Sequence, residues 1–413
     1  MAAIAINSQR LWKSLMDLAK IGATEKGGVR RLALTDLDRQ GRDLFSGWCK
    51  EAGCTVTVDG IGNIFARRPG RNNQLPPIIA GSHIDTQPSG GKFDGNFGVL
   101  AGLEVVRSLN DHGVKTEAPM EVAVWTNEEG SRFTPVMMGS GVFVGAFPLD
   151  VTLQRADLDG VTVAEALAKI GYSGTTPVGS RPVGAYFEAH IEQGPILEDS
   201  QKIIGVVVGA LGLRWYDVVV TGQDSHAGPT PMRLRKNALV AASKMVADIN
   251  DLAYRFQPDG RATVGFMQVR PNSRNVIPGE VKFSIDLRHA EDDALEKMEA
   301  ETRALCERHA QSASVTVNVE RVANYPACKF DATCVTAVRN AAGRLGISHM
   351  DIVSGAGHDA IYMARVTPTS MIFVPCEGGI SHNEIENAKP EDLAAGCNVL
   401  LSVMLEKAQV VDK

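Results

Sequence analysis

Five side chains spread along the chain are of the types that bind transition metals: His83, Asp94, Glu129, His190 and His382. Imidazole and carboxylate are the donors that zinc and its neighbours in the first transition row accept. Such a set, with one carboxylate shared, can hold two ions about 3.5–4 Å apart. His83 and Asp94 stand in the stretch GSHIDTQPSGGKFDG, Gly81 to Gly95. Its glycines let the backbone fold tightly enough for Asp94 to approach a metal that His83 binds. Asp85, two residues after His83, is placed to accept the other ring N–H and fix the tautomer.

Glu128 and Glu129 end the apolar run VAVWTNEEG. Successive side chains in an extended segment point apart. Glu129 is therefore assigned to metal, and Glu128 to the general base that takes a proton from an activated water. Taken singly, each of these residues also reads as a turn or cap residue, or as a solvated surface acid. What joins them is their recurrence where apolar strands end, which is where α/β proteins place ligands.

The elements that must position them follow from the hydrophobic pattern. Residues 8–21 have helical spacing, and CTVTVDGIGNIFARRPG reads as a hairpin. LPPIIAGSH is a buried strand ending at His83, NFGVLAGLEVVRSLNDHG a helix, and MEVAVW a second strand. Strand and helix alternate to about residue 212, which implies α/β layering. The rhythm then changes to strand 213–221, helix 236–253, strands 262–270 and 279–288, helix 291–310 and strand 314–322. That β-α-β-β-α-β order is the ferredoxin-like split pattern. GVVVGALGLR and VANYPACKF look like its two hinges, and the α/β rhythm resumes after 330 with helix, strand MIFVPC and a terminal helix from 390. The predicted architecture is one α/β catalytic domain, 1–212 and 329–413, interrupted by an inserted α+β domain at 213–328.

Composition narrows the partners. The chain has 413 residues, 44% hydrophobic and 22% charged, with a net charge of −6 and no basic block. Nucleic acid and anionic membrane are thereby excluded as expected partners. MAAIAINSQR is too short an apolar run for a secretory signal. The seven cysteines are scattered, without a C-x-x-C pair, which speaks against a disulfide framework and fits a reducing cytoplasm. Cys376 would suit a thiol nucleophile by position, but reads better as a small buried residue.

The motifs GSHIDT, GGKFDGNFGVLAGLEV, TNEEGSRF, AHIEQGPILE, SHAGPTPM, RPNSRNVIPG, SGAGHDA and GGISHNE resemble, together and in order, those of the N-carbamoyl-L-amino-acid hydrolases. That group includes β-ureidopropionase and allantoate amidohydrolase, within the aminoacylase- and carboxypeptidase-type dinuclear metallohydrolases. The resemblance implies a dinuclear catalytic domain interrupted by a lid and dimerisation domain. It implies two divalent ions per subunit, zinc first, with manganese, cobalt or nickel as alternatives. Asp94 would bridge them, with His83 and His190 on one side and Glu129 and His382 completing the other shell. Glu128 would be the base, Gln193 a hydrogen-bond partner of the substrate, and His226 the group that stabilises the oxyanion. Asn275 and Arg288 would hold the substrate carboxylate, and some lid residues would act on the neighbouring subunit of a homodimer. The implied substrate is an N-carbamoyl amino acid, with allantoate as the alternative. His358, in SGAGHDA, reads as a buried hydrogen-bonded histidine and is left out of the site.

Overall fold

The computed structural model describes residues 4–179 and 181–411, so the first three residues of MAAIAINSQR lie outside the described residues. Gly209–Cys328 forms one compact unit, and the chain on either side of it forms another.

The larger unit is built on a mixed sheet. Its strands lie in the order Thr55–Val58, Ile64–Arg68, Met120–Trp125, Ile78–His83, Ala185–Ile191, Thr369–Val374, Ile204–Ala210 and Cys328–Lys329. His349–Ser354 also pairs with Ile204–Ala210. The four middle strands, from Met120–Trp125 to Thr369–Val374, run parallel. Every residue in them is buried. Strands covered on both faces read as continuous apolar runs, which is how these segments stand in the sequence. Helices Asn96–Asp111 and Pro390–Ala408 supply much of the cover, burying Val99, Leu103 and Val106 from one and Leu400, Val403 and Met404 from the other.

Parallel pairing has one consequence for function. The carboxyl ends of the four strands, at His83, Trp125, Ile191 and Val374, all lie along the same edge of the sheet. The loops that follow them carry Asp94, Glu128–Glu129, Gln193 and His382. Fully buried Arg31 braces this edge: its guanidinium donates to the carbonyls of Leu18, Ile21 and Ile84 and to Asn96 Oδ1.

The smaller unit contains an antiparallel sheet in the order Met267–Arg270, Glu280–His289, Gly212–Thr221, Thr316–Tyr325. Helices Ala238–Tyr254 and Asp292–Ser312 share a core with it around Val218, Met245, Ile249, Phe283, Ile285 and Met298. The central strand Gly212–Thr221 buries every second residue, as a sheet with one covered face requires. The single strand expected at 262–270 is instead two, Arg261–Thr263 and Met267–Arg270, both paired to Glu280–His289. The segments expected to be hinges are mostly strand. Ile204–Ala210 and Gly212–Thr221 are separated by Leu211 alone, and Tyr325 is still in its strand. Among the described residues no helix is long and apolar enough to cross a membrane.

Candidate active site

His83 is the last residue of its strand and His190 the last but one of Ala185–Ile191. Both are buried. Each ring places Nδ1 2.9 Å from a backbone carbonyl, that of Asp85 for His83 and that of Ile191 for His190. A carbonyl can only accept, so Nδ1 carries the hydrogen and Nε2 is left as the donor atom. The two Nε2 atoms lie 3.7 Å and 3.3 Å from the same oxygen, Asp94 Oδ1. His190 Nε2 also accepts the Gly95 N–H at 3.1 Å.

The second oxygen of Asp94 faces another pair. Asp94 Oδ2 is 3.3 Å from His382 Nε2, and that nitrogen is 3.4 Å from Glu129 Oε2. Two groups of three donors therefore share Asp94: His83, Asp94 and His190, and Asp94, Glu129 and His382. A tetrahedral ion with bonds of about 2.0–2.1 Å has ligand–ligand edges of roughly 3.3–3.4 Å. The residues present have donor types and spacings that fit divalent metal.

Glycine makes this crowding possible. Gly95 has φ +67°, and a Cβ there would fall on the His83 ring. At Gly91 a Cβ would fall on the Glu386 carboxylate.

Asp85 departs from expectation. The acceptor for His83 is its backbone carbonyl, because the chain turns as it leaves the strand and brings that carbonyl beneath the ring. The carboxylate is directed elsewhere and accepts the backbone N–H groups of Glu128 and Glu129, one on each oxygen, at 3.3 Å. Asp85 thus holds the acid pair. Glu129 is further held by Gln87, whose amide donates to Oε2 at 2.7 Å. Glu128 Oε2 lies 3.5 Å from His83 Nε2 and belongs to neither donor group with Asp94. Gln193, at φ 59°, donates to Asp94 Oδ2 at 2.9 Å.

Burial and like charge dominate the titration of these groups. Burial, then Asp359 and Glu129, raise Glu128 well above the usual carboxylate range. Burial, then Asp94 and Asp85, do the same to Glu129. Burial lowers His83 to about 4. Burial also pulls His190 down, but the closer Asp94 carboxylate overrides it and raises the ring to about 9. A cluster of acids this deep in the fold is one that a cation would relieve.

Three residues near these donors, Glu188, Ser381 and Glu386, were not picked out from the sequence, and a fourth, His358, was read as a buried hydrogen-bonded histidine and left out of the site. Glu188, two residues before His190 on the same face of the strand, accepts from Ser82 Oγ, Tyr186 OH and the Ala360 N–H. With His190 and His358 it makes a third possible donor group. His358 is buried, with its ring centroid 4.6 Å from that of His190 and Nε2 3.0 Å from Ser354 Oγ. Ser381 and Glu386 lie on the other side of Asp94. An acid inside an apolar strand was a readable signal for Glu188; Ser381 and Glu386 had none.

The remaining expected residues belong to the smaller unit. His226 and Asn275 are neighbours there, because Ser225–His226 pairs with Val276–Ile277 and the Ala227 N–H donates to the Asn275 carbonyl. His226 is exposed, and its Nδ1 accepts the Gly228 N–H. Arg288 stands on Glu280–His289 and is ion-paired with Asp286 at 2.9 Å. Cys376 is buried and unbridged.

Residues 79–406 match the family model described as Peptidase family M20/M25/M40. The chain belongs to this family. The N-carbamoyl-L-amino-acid amidohydrolase of Rhizobium meliloti is 47% identical over 411 residues, covering 98% of each chain. The allantoate amidohydrolase of Bacillus subtilis (strain 168) is 33% identical over 393 residues, covering 95% of each. A crystal structure of an amidase of the hydantoinase/carbamoylase family from Burkholderia multivorans superposes with a TM-score of 0.96 at 58% identity, covering 98% of each chain. The M20 chain described here therefore carries the resemblance seen in its eight motifs across nearly its full length.

Proposed function

We propose that this M20 protein hydrolyses N-carbamoyl-L-amino acids to the amino acid, ammonia and carbon dioxide. The observation that carries the reading is Asp94, whose two oxygens face two separate groups of imidazole and carboxylate donors. We assign two divalent ions, zinc first, to His83, Asp94, His190, Glu129 and His382. When bound, they supply Lewis acidity that polarises the carbamoyl carbonyl and lowers the pKa of water.

The chain's own groups do the rest. Glu128, oriented by the Asp85 carboxylate through its backbone N–H, takes the proton of the attacking water at the carboxylate and returns it to the leaving nitrogen. The C–N bond to the amino acid breaks, and the carbamate released decomposes to ammonia and carbon dioxide. Burial first, then the charges of Asp359 and Glu129, favours the protonated form of Glu128; a cation on Asp94 and Glu129 would lower that barrier to its serving as a base. Gln193 is assigned to the substrate, His226 to the developing oxyanion, and Asn275 and Arg288 to the substrate carboxylate, Arg288 by a bidentate fork. The smaller unit is assigned the roles of lid and dimer interface, and its free thiols, with the others, suit a reducing cytoplasm.

A turnover panel of N-carbamoyl-L-amino acids, N-carbamoyl-β-alanine and allantoate, run with zinc, manganese, cobalt and nickel, tests the proposal. The expected result is the highest kcat/KM on an N-carbamoyl-L-amino acid. The stronger identity to the 47% relative than to the 33% allantoate enzyme supports that order. A higher kcat/KM on allantoate would overturn it.

A further inference from the structure

Glu386 is buried beneath the loop that presents Asp94. Its Oε1 accepts two consecutive backbone N–H groups, Phe93 at 2.9 Å and Asp94 at 3.2 Å. Its Oε2 lies 2.9 Å from Ser381 Oγ, the residue before His382. The same hydroxyl is 3.0 Å from Asp94 Oδ2. One carboxylate thus joins the loop that carries Asp94 to the loop that carries His382, which lie almost three hundred residues apart in sequence. Gly91 leaves the room it occupies, since any Cβ there would meet the Glu386 carboxylate.

The hydroxyl between the two acids has one hydrogen and can donate to one of them at a time. Donated to Asp94, it occupies Oδ2, the oxygen that faces His382. Donated to Glu386, it leaves Oδ2 with the Gln193 amide and one lone pair open to a cation, and ties His382's loop to Glu386. We infer that Glu386 is a positioning residue for metal: it draws the Ser381 hydroxyl away from Asp94 and fixes the Asp94 and His382 loops against each other. The inference rests on the assignment of Asp94 and His382 as metal ligands.

Glu386→Gln separates this role from a merely structural one. The Gln carbonyl can still accept the Phe93 and Asp94 N–H groups, while its NH2 donates to Ser381 Oγ. The hydroxyl must then donate to Asp94, where it competes with the ion. The fold is kept and the metal site is impaired. The experiment measures zinc affinity of chelator-stripped wild type, E386Q, S381A and the double variant by competition with a chromophoric chelator, alongside the melting temperature of each stripped protein. E386Q is expected to bind zinc roughly 10–100-fold more weakly, the range for lost outer partners of ligands, with an unchanged or higher melting temperature. In the S381A background the same substitution is expected to change affinity less than threefold, because the hydroxyl through which it acts is gone.

Zinc affinity of E386Q equal to wild type overturns the inference. So does a fall in its metal-free melting temperature, or a full loss of affinity on adding E386Q to S381A. If wild type itself binds no zinc or other divalent ion, the ligand assignment fails instead, and the two failures are thereby distinguished.

Discussion

Replacing Glu128 with Gln removes the group assigned to proton transfer and little else. The side chain belongs to neither donor group around Asp94, and its nearest imidazole contact is 3.5 Å. Metal content is therefore expected to match wild type. General acid–base groups contribute about 10²–10⁴ in rate, or roughly 3–5.5 kcal/mol at about 1.4 kcal/mol per decade. The upper part of that range applies here. Glu128 is 8% exposed, so bulk water is a poor substitute, and the adjacent Glu129 is occupied by Gln87. The metal-free protein is expected to respond in the opposite sense. Glu128 is raised well above the ordinary range by burial and by Asp359 and Glu129, so the folded state holds a proton that the unfolded state releases. Stability falls as pH climbs from the ordinary carboxylate range toward the raised value, and the neutral Gln removes that loss. E128Q should therefore melt higher than wild type without metal, by a margin that grows with pH over that window. The assay is kcat and kcat/KM on an N-carbamoyl-L-amino acid, with metal content by elemental analysis and melting of the stripped proteins. A variant with full metal and a rate within tenfold of wild type would refute the assignment.

Gly95→Ala puts a Cβ on the His83 ring at φ +67°. With ψ −47° this conformation is sparsely populated and costs a residue with a Cβ about 1–3 kcal/mol, and displacement of His83 should also lower metal affinity; equal melting and equal affinity would contradict the packing. Chelator should abolish turnover and added metal restore it, whereas thiol alkylation should leave it intact, since burial pushes the Cys376 thiol up to about 12. Burial raises Asp59, which belongs to none of the donor groups, to about 6 against its hydrogen bonds from Asn63 and Ile61. The folded state therefore binds more protons than the unfolded state between pH about 4 and 6. In urea titrations wild type should lose ground to Asp59→Asn as pH rises through that interval, by about 3 kcal/mol at most. Arg288→Lys keeps the charge but not the fork, so KM should rise more than kcat falls; a change confined to kcat would move Arg288 out of substrate binding.

Three of the candidate donors, His83, Glu129 and His190, were legible in the sequence because each stands at or just beyond the end of an apolar strand. His83 and His190 sit at the ends of strands in which every residue is buried, and parallel pairing brings those ends together. The rhythm of the smaller unit was legible for a similar reason, since Gly212–Thr221 alternates and its helices carry long apolar faces. Residues 264–266, which break one expected strand into two, gave no such signal, because both pieces pair with the same neighbour. What could not be read was the work of single bonds across long separations. Whether Asp85 offers its carbonyl or its carboxylate depends on a turn, and both are one residue in the sequence. Glu386 reaches Phe93 across 293 residues, with no periodicity to announce it.

The order of the donors along the chain has a consequence for biosynthesis. Asp94 precedes the inserted unit and His382 follows it. A nascent polypeptide therefore carries His83, Asp94, Glu129 and His190, four of the five assigned ligands, before that unit is made, and His382 only after it. A chain cut short within that unit would hold the donor group of His83, Asp94 and His190 but lack the imidazole that completes the group of Asp94 and Glu129.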